Sequence, residues 1–253
     1  MIKNADTLPY YQNLQDAFGQ PGCAFCRLFA DAANLYIDSL LWEMVNYPDL
    51  REELNRARGY CHQHGWMLVR GGAALGIAIL MQDVIKTALA ALDSNPVKDT
   101  PESALRQLLN NLDRRPNPAA QKLASHLSPQ TPCPVCVYLK DIQKHYFDTL
   151  LKHLAGSNSL VESYSNSDGL CLPHFRQALT QALAKTNVSA LVKAQQSAWQ
   201  RLHTQLDEFI RKNDYRFRHE PLGDEKDVWL RALEAVSGAP PQSGRNTGLT
   251  QSV

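Results

Sequence analysis

The chain has 253 residues, 44% of them hydrophobic, with 26 Lys and Arg against 25 Asp and Glu. That length suits one large domain or two small ones with a genuine core. The near-zero net charge argues against nucleic acid as a partner, since no strongly basic footprint is present.

The N-terminal segment MIKNADTLPYYQNLQDAF has no apolar core of signal-peptide length. The longest apolar stretch, Ala73 to Met81, is too short to span a bilayer. A cytoplasmic location without a membrane span is the resulting expectation. Thiols stay reduced there, so close cysteine pairs point to metal ligation or redox work rather than disulfides.

A helix is expected within residues 1–22. Cys23 and Cys26 then form a C-x2-C pair, and Cys61 and His64 form a C-x2-H pair further on. Cys133 and Cys136 repeat the first pair, and Cys171 and His174 repeat the second at the same separation. All four positions recur at an offset of 110, and these are the chain's 6 cysteines. Other residues follow the same register. Asp31, Tyr36, Asp38, Leu40 and Leu41 match Asp141, Tyr146, Asp148, Leu150 and Leu151, and Gly59 matches Gly169. Identities in one register mark a repeated structural unit.

Helical periodicity runs through both copies. Phe29, Ala33, Tyr36, Leu40 and Met44 share one helix face, as do Leu139, Ile142, Tyr146, Leu150 and Leu154. Pro48 ends the first of these helices, because the residue before a proline is pushed out of the helical region. A short helix follows to Gly59. Further helices are expected from about Gln63 to Arg70, Ala73 to Leu92, Pro173 to Lys185, and Ser189 to Lys212. Strand signals are nearly absent. The predicted fold is therefore all-α: two pseudo-repeated helical units, 23–93 and 133–237, each with a Cys3His metal site, plus a C-terminal helix. A proline-rich connector, 94–132, carries one helix with Thr100 as N-cap and Leu105, Leu108, Leu109 and Leu112 along one side. Residues 238–253 read as a disordered tail, being rich in Gly, Ser, Pro and Gln.

Three thiolates and one imidazole form a common structural zinc set. The expected ligands are Cys23, Cys26, Cys61 and His64 at one site, and Cys133, Cys136, Cys171 and His174 at the other. Two zinc ions per chain follow, with an iron–sulfur cluster as the alternative cofactor. Pairing within each unit is expected because the shorter loop closes at lower entropic cost. The helix lengths strain that pairing. An outgoing helix of about 30 Å meets a return of only about 18 Å, and extended residues must make up the rest. Four protein ligands close a site, whereas a catalytic zinc keeps one position open. His62, beside Cys61, has Leu172 at its repeat position and is read as exposed or supporting. His126, His145, His153, His203 and His219 have no metal-site spacing. Tyr10 and Tyr11 are read as packing residues. The segment FIRKNDYRFRH, 209–219, interleaves basic and aromatic residues, yet acidic residues flank it and a solvated helix end is the preferred reading.

The pairs CAFC with GYCHQH, and CPVC with GLCLPH, resemble a prokaryotic family of uncharacterised proteins marked by CxxC and a later G-x-C-x2-H in each of two units. The stretch EFIRKNDYRFRHEPLGDEKDVWLRALEAVSG is similar to that family's C-terminal region, and the resemblance covers about Leu8 to Gly238. It implies a helical metal-site protein and no activity. The expected role is a binding or scaffold module for an unknown protein or small-molecule partner. Two alternatives stand beside it. One is a redox or electron-transfer protein using clusters or reactive CxxC thiols. The other is an enzyme with a site in the groove between the units, near Gly71 to Ala78.

Overall fold

A computed structural model of the chain describes residues 8–96, 117–156 and 159–240. Every regular element among them is helical. The connector helix read around Thr100 to Leu112, and the tail beyond Pro240, lie outside the described residues.

Helix α1 spans Leu8–Phe18 and α2 spans Ala24–Ser39. A π-helical turn, Leu40–Met44, prolongs α2. Helix α3, Pro48–Arg56, opens with proline in its first turn, where no backbone N–H is missed. Then follow α4, His62–Met67, and α5, Ala74–Asp93. The second stretch holds α6, Pro118–Leu127, and α7, Pro134–Lys152. The last holds α8, Val161–Asn166, α9, Leu172–Gln181, α10, Val188–Lys212, and α11, Val228–Ser237.

These helices form two compact units that do not coincide with the two sequence repeats. The first, here the terminal unit, gathers 8–34 with 138–156 and 159–240. The second, the central unit, gathers 35–96 with 117–137. The boundaries fall inside α2 and inside α7, so both long helices contribute residues to both units.

The terminal unit's core is built from aromatic and leucine side chains of five helices. Leu14 and Phe18 of α1, Phe25 and Phe29 of α2, Phe147 and Leu150 of α7, Tyr164 of α8 and Leu191 of α10 are all buried in one cluster. Phe25 meets Phe147 edge-on at 4.6 Å between centroids, an arrangement favoured by the ring quadrupoles. Tyr10 stacks on His145 and Tyr11 abuts His153, so these paired tyrosines pack α1 against α7.

In the central unit, Leu40 and Leu41 of the π-turn, Leu50 and Leu54 of α3, Met67, Leu68 and Leu80 are buried. Arg70 binds the Asp38 carboxylate, and Arg51 holds Asp83 at 2.5 Å. Helix α5 is longer than the apolar stretch read from sequence. With 20 residues and a mean hydropathy of 1.7 over its most apolar 18-residue window, it is long and apolar enough, by length and composition only, to cross a membrane. Leu80 is its one buried residue, and Asp83 in its middle is tied to Arg51 of α3.

The turn between α10 and α11 is fixed by charge. The buried Glu225 carboxylate accepts from Lys212 Nζ at 2.7 Å and from the Gly223 N–H at 3.0 Å. The Lys212 hydrogen bond, with help from the backbone, holds Glu225 down to a pKa of about 2. Its unfolded value lies near about 4.3. A depressed carboxylate stabilises the fold above its unfolded pKa and loses that contribution as pH falls through its folded one. Glu225→Gln is therefore expected to lower Tm at pH 7. The gap from the parent should shrink between about pH 4.5 and about pH 2. Thermal melts across that range check it, and a pH-independent gap contradicts the assignment.

Candidate metal centres

All four cysteine-led pairs open helices. The carbonyls of Cys23, Cys61, Cys133 and Cys171 accept the first backbone hydrogen bonds of α2, α4, α7 and α9. A helix start turns residue i+3 back beside residue i and presents partial positive charge to both. That is why C-x2-C and C-x2-H each aim two ligand atoms to one side.

The structure brings together eight ligand residues in two groups, and the grouping overturns the within-unit pairing. Cys23 and Cys26 meet Cys171 and His174, whereas Cys61 and His64 meet Cys133 and Cys136. Within each group all ligand atoms lie within 4.8 Å of one another. Each C-x2-C thus joins the C-x2-H of the other repeat. The first group belongs wholly to the terminal unit and the second wholly to the central unit.

The physical reason is helix length. The 16 residues of α2 and the 5 of its π-turn carry the chain about 30 Å from Cys23. The 9 residues of α3 return about 13 Å of it. In the second repeat, α7 with 19 residues advances about 28 Å, and α8 with 6 returns about 9 Å. Extended linkers were expected to close these gaps, but the chain leaves them open. The entropic penalty for crossing is small. Closing a loop of 145 residues rather than roughly 35 costs only about 1 kcal/mol more.

The donor geometry fits a tetrahedral ion. With metal–sulfur bonds of about 2.3 Å, sulfur–sulfur edges of a tetrahedron measure about 3.7–3.8 Å. Cys26 Sγ lies 3.7 Å from Cys171 Sγ, and Cys61 Sγ lies 3.7 Å from Cys136 Sγ. His174 Nδ1 sits 3.5, 3.5 and 3.1 Å from the sulfurs of Cys23, Cys26 and Cys171. His64 Nδ1 sits 3.2, 3.7 and 3.3 Å from those of Cys61, Cys133 and Cys136. Both histidines thus present the same ring nitrogen.

The electrostatics of both groups are compatible with a bound cation. In the terminal group, hydrogen bonds from Cys171 and Cys23 hold the Cys26 thiol far below its usual range. The hydrogen bonds with Cys171 and Cys26, then burial, push Cys23 up. Burial alone would lower the His174 pKa, but hydrogen bonds to Cys171 and Cys26 raise it to about 9. In the central group burial dominates. It pushes Cys136 up to about 12, raises Cys133 and lowers His64. Three crowded thiols cannot all ionise unaided, and a divalent ion bound among them would supply the missing charge.

Supporting contacts differ between the groups. Buried Gln195 of α10 clamps the turn carrying Cys171. Its Oε1 accepts from Tyr164 OH and from the Leu170 N–H, and its Nε2 donates to the Leu170 carbonyl. Gly169, with φ +78°, passes so close that a Cβ would stand 2.7 Å from Gln195 Nε2. Sequence reading missed Gln195. The available signal was one amide in the otherwise apolar stripe Leu191, Ala194, Ala198. The rings of Phe25 and Phe29 flank His174, the latter at 5.1 Å. At the N-terminal side, the Gly22 N–H donates to Asp168 at 2.7 Å. His62 is exposed and takes no part.

Within the basic segment 209–219, Arg211, Lys212 and Arg216 are paired with nearby carboxylates. Arg211 binds Glu208 and Glu220, Lys212 binds Glu225, and Arg216 binds Asp214. Gly238 and Ala239, read from sequence as the start of the tail, instead lie against the terminal group. The Ala239 N–H donates to Cys26 Sγ at 3.4 Å.

Residues 5–243 match the family described as a family of unknown function (DUF6062), and the chain belongs to that family. A curated relative, 23% identical over 222 residues, is the "Uncharacterized 23.9 kDa protein in xynA 3'region" of Caldicellulosiruptor sp. (strain Rt8B.4). That match covers 87% of this chain and 97% of the relative. No solved structure matches the chain.

Two outcomes follow from this geometry. The double variant Cys26→Ser, Cys171→Ser removes two ligands of one crossed site and should retain one metal ion per chain by elemental analysis. Within-repeat pairing would leave none. Gln195→Leu leaves the Tyr164 hydroxyl and the Leu170 peptide groups unpaired, which should lower stability by about 2 kcal/mol or more in denaturant titration. A loss below about 0.5 kcal/mol would show that the clamp is dispensable.

Proposed function

We propose that this is a cytoplasmic zinc protein whose two ions are structural, and that it serves as a binding or scaffold module. The observation that carries the reading is the closed donor set. Each group supplies four protein ligands at tetrahedral edge lengths, which leaves no position for water or substrate. The Cys3His composition favours zinc among the divalent ions, since thiolate and imidazole together suit it well. The ions join segments 75 and 145 residues apart, so their role is to fix the fold.

A protein partner fits the surface better than nucleic acid does. The Arg and Lys side chains of 211–216 are occupied by neighbouring carboxylates, whereas Trp229, Leu233 and Val236 stand exposed along one side of α11. The Arg51–Asp83 pair in the middle of α5 supports an aqueous setting for that helix, because charges are costly in a bilayer centre.

Elemental analysis of native protein should find two zinc ions per chain. Chelation should lower Tm, and added zinc should restore it. A brown protein rich in iron would replace this reading with a cluster protein. Cobalt exchanged into both sites should give a tetrahedral thiolate spectrum that added azide or cyanide leaves unchanged. A shifted spectrum would reveal an open coordination position, and the structural role would fall.

A further inference from the structure

Helix α11 packs on α9 and α10, but its inner side is interrupted. Val228, at its start, is its one buried residue. Trp229, Leu230, Leu233 and Val236 are exposed. Its inner side is half-buried at Arg231, Ala232, Glu234 and Ala235 and leaves one gap against the unit. A cavity of about 90 Å³ lies there, lined by Gly22, Arg201 and Gln205 on one side and Arg231, Glu234 and Ala235 on the other. The Gln205 Oε1 is buried with no hydrogen-bond partner, which makes this contact costlier than an apolar one. Arg231 spends its bonds locally, on Asp227 and the Asp224 carbonyl.

The N-terminal anchor is the Lys212–Glu225 pair just before the helix. The C-terminal anchor is the metal site. Gly238 ends α11 at φ +88° and ψ 164°, a backbone region that essentially only glycine occupies. Its own N–H still bonds the Glu234 carbonyl at 2.8 Å. A common helix ending would turn the next N–H back to the helix as well. Here the unusual ψ sends the chain outward, and the Ala239 N–H reaches Cys26 Sγ at 3.4 Å. A Cβ on Gly238 would stand 3.7 Å from that sulfur and 3.9 Å from Cys171 Sγ. The end of the helix therefore lies directly over two ligands.

We infer that metal binding at Cys23, Cys26, Cys171 and His174 docks α11, so that the helix reports the occupancy of that one site. The inference rests on the proposed metal in the terminal group. A coordinated thiolate stays anionic and is fixed in place, which makes it a strong acceptor for a backbone N–H. Without the ion the Cys26 sulfur sits on a side chain free to change rotamer, and its line to the Ala239 N–H is no longer fixed. Removing the ion loosens the C-terminal anchor, and the interrupted contact of α11 with α9 and α10 opens more readily. Coupling is reciprocal, so the docked helix must in turn tighten metal binding at this site. The central group has no part in it, because α11 belongs to the terminal unit.

Hydrogen exchange of the full chain, read by mass spectrometry over Val228–Ser237, tests this. Cys171→Ser empties the terminal site, and exchange over α11 should then rise about tenfold or more. Cys136→Ser empties the central site and should leave α11 unchanged. Ala239→Pro removes the donor without touching a ligand. At saturating zinc it should keep two ions yet show the faster α11 exchange, and chelator competition should find the terminal site weakened about tenfold. If two ions bind and α11 exchanges equally in the parent and Ala239→Pro, the coupling is wrong while the zinc reading stands. An α11 that responds to Cys136→Ser as strongly as to Cys171→Ser also overturns it. A chain that takes up no metal removes both.

Discussion

The structure depends on a mismatch between outgoing and returning helices. In each repeat a long helix leaves the C-x2-C, and a much shorter one comes back before the C-x2-H. The C-x2-H of each repeat is not grouped with that repeat's own thiols. Four soft donors held in pairs need four partners, and the pairs of the other repeat are the ones within reach. The crossing then dictates the rest. The compact units are assembled from both repeats, and the cuts between them fall inside α2 and α7.

Loop entropy is a weak guide to such a choice. It grows with the logarithm of loop length, so a roughly fourfold longer loop adds only about 1 kcal/mol. A helix length is a rigid constraint by comparison. Straightening one turn of α2 into extended chain would forfeit its hydrogen bonds and the packing of Phe25 and Phe29 on Phe147. That packing also surrounds His174, so the aromatic core and the ligand set stabilise each other.

The ligands were legible in sequence because chemistry and register coincide there. Cysteines recur at an offset of 110 and their companion histidines at the same offset. The helices were legible too, since Pro48 and Gly59 punctuate them and Phe29 through Met44 keep one face. The partner of each pair was not legible, although the excess of the outgoing helix over its return already announced the conflict. Resolving it needed the relative course of α2 and α3 in space. Gln195 was hidden for a similar reason. Its role exists only because α10 passes the Leu170 peptide, 25 residues earlier in the chain. Gly238 looked like the first residue of a glycine-rich tail. Its meaning comes from the sulfur of Cys26, near the other end of the chain, which no local composition records.

The crossed pattern has the form of an isologous contact: the C-x2-C of one repeat takes the C-x2-H of the other, and the reverse holds equally. Two identical repeats would satisfy it equally well, and neither repeat alone holds a complete ligand set. The two sites have nonetheless diverged in their surroundings. The terminal group has gained the Gln195 clamp, the rings of Phe25 and Phe29, and the N–H of Ala239. Against the effect of burial, hydrogen bonds to Cys171 and Cys26 raise the pKa of its histidine, whereas burial lowers that of the central one. Equal ligands in unequal surroundings would bind a metal with unequal strength, because the contacts around a ligand set its basicity and orientation. The two groups thus differ in character, and among the described residues only the terminal one has a helix end over its sulfurs.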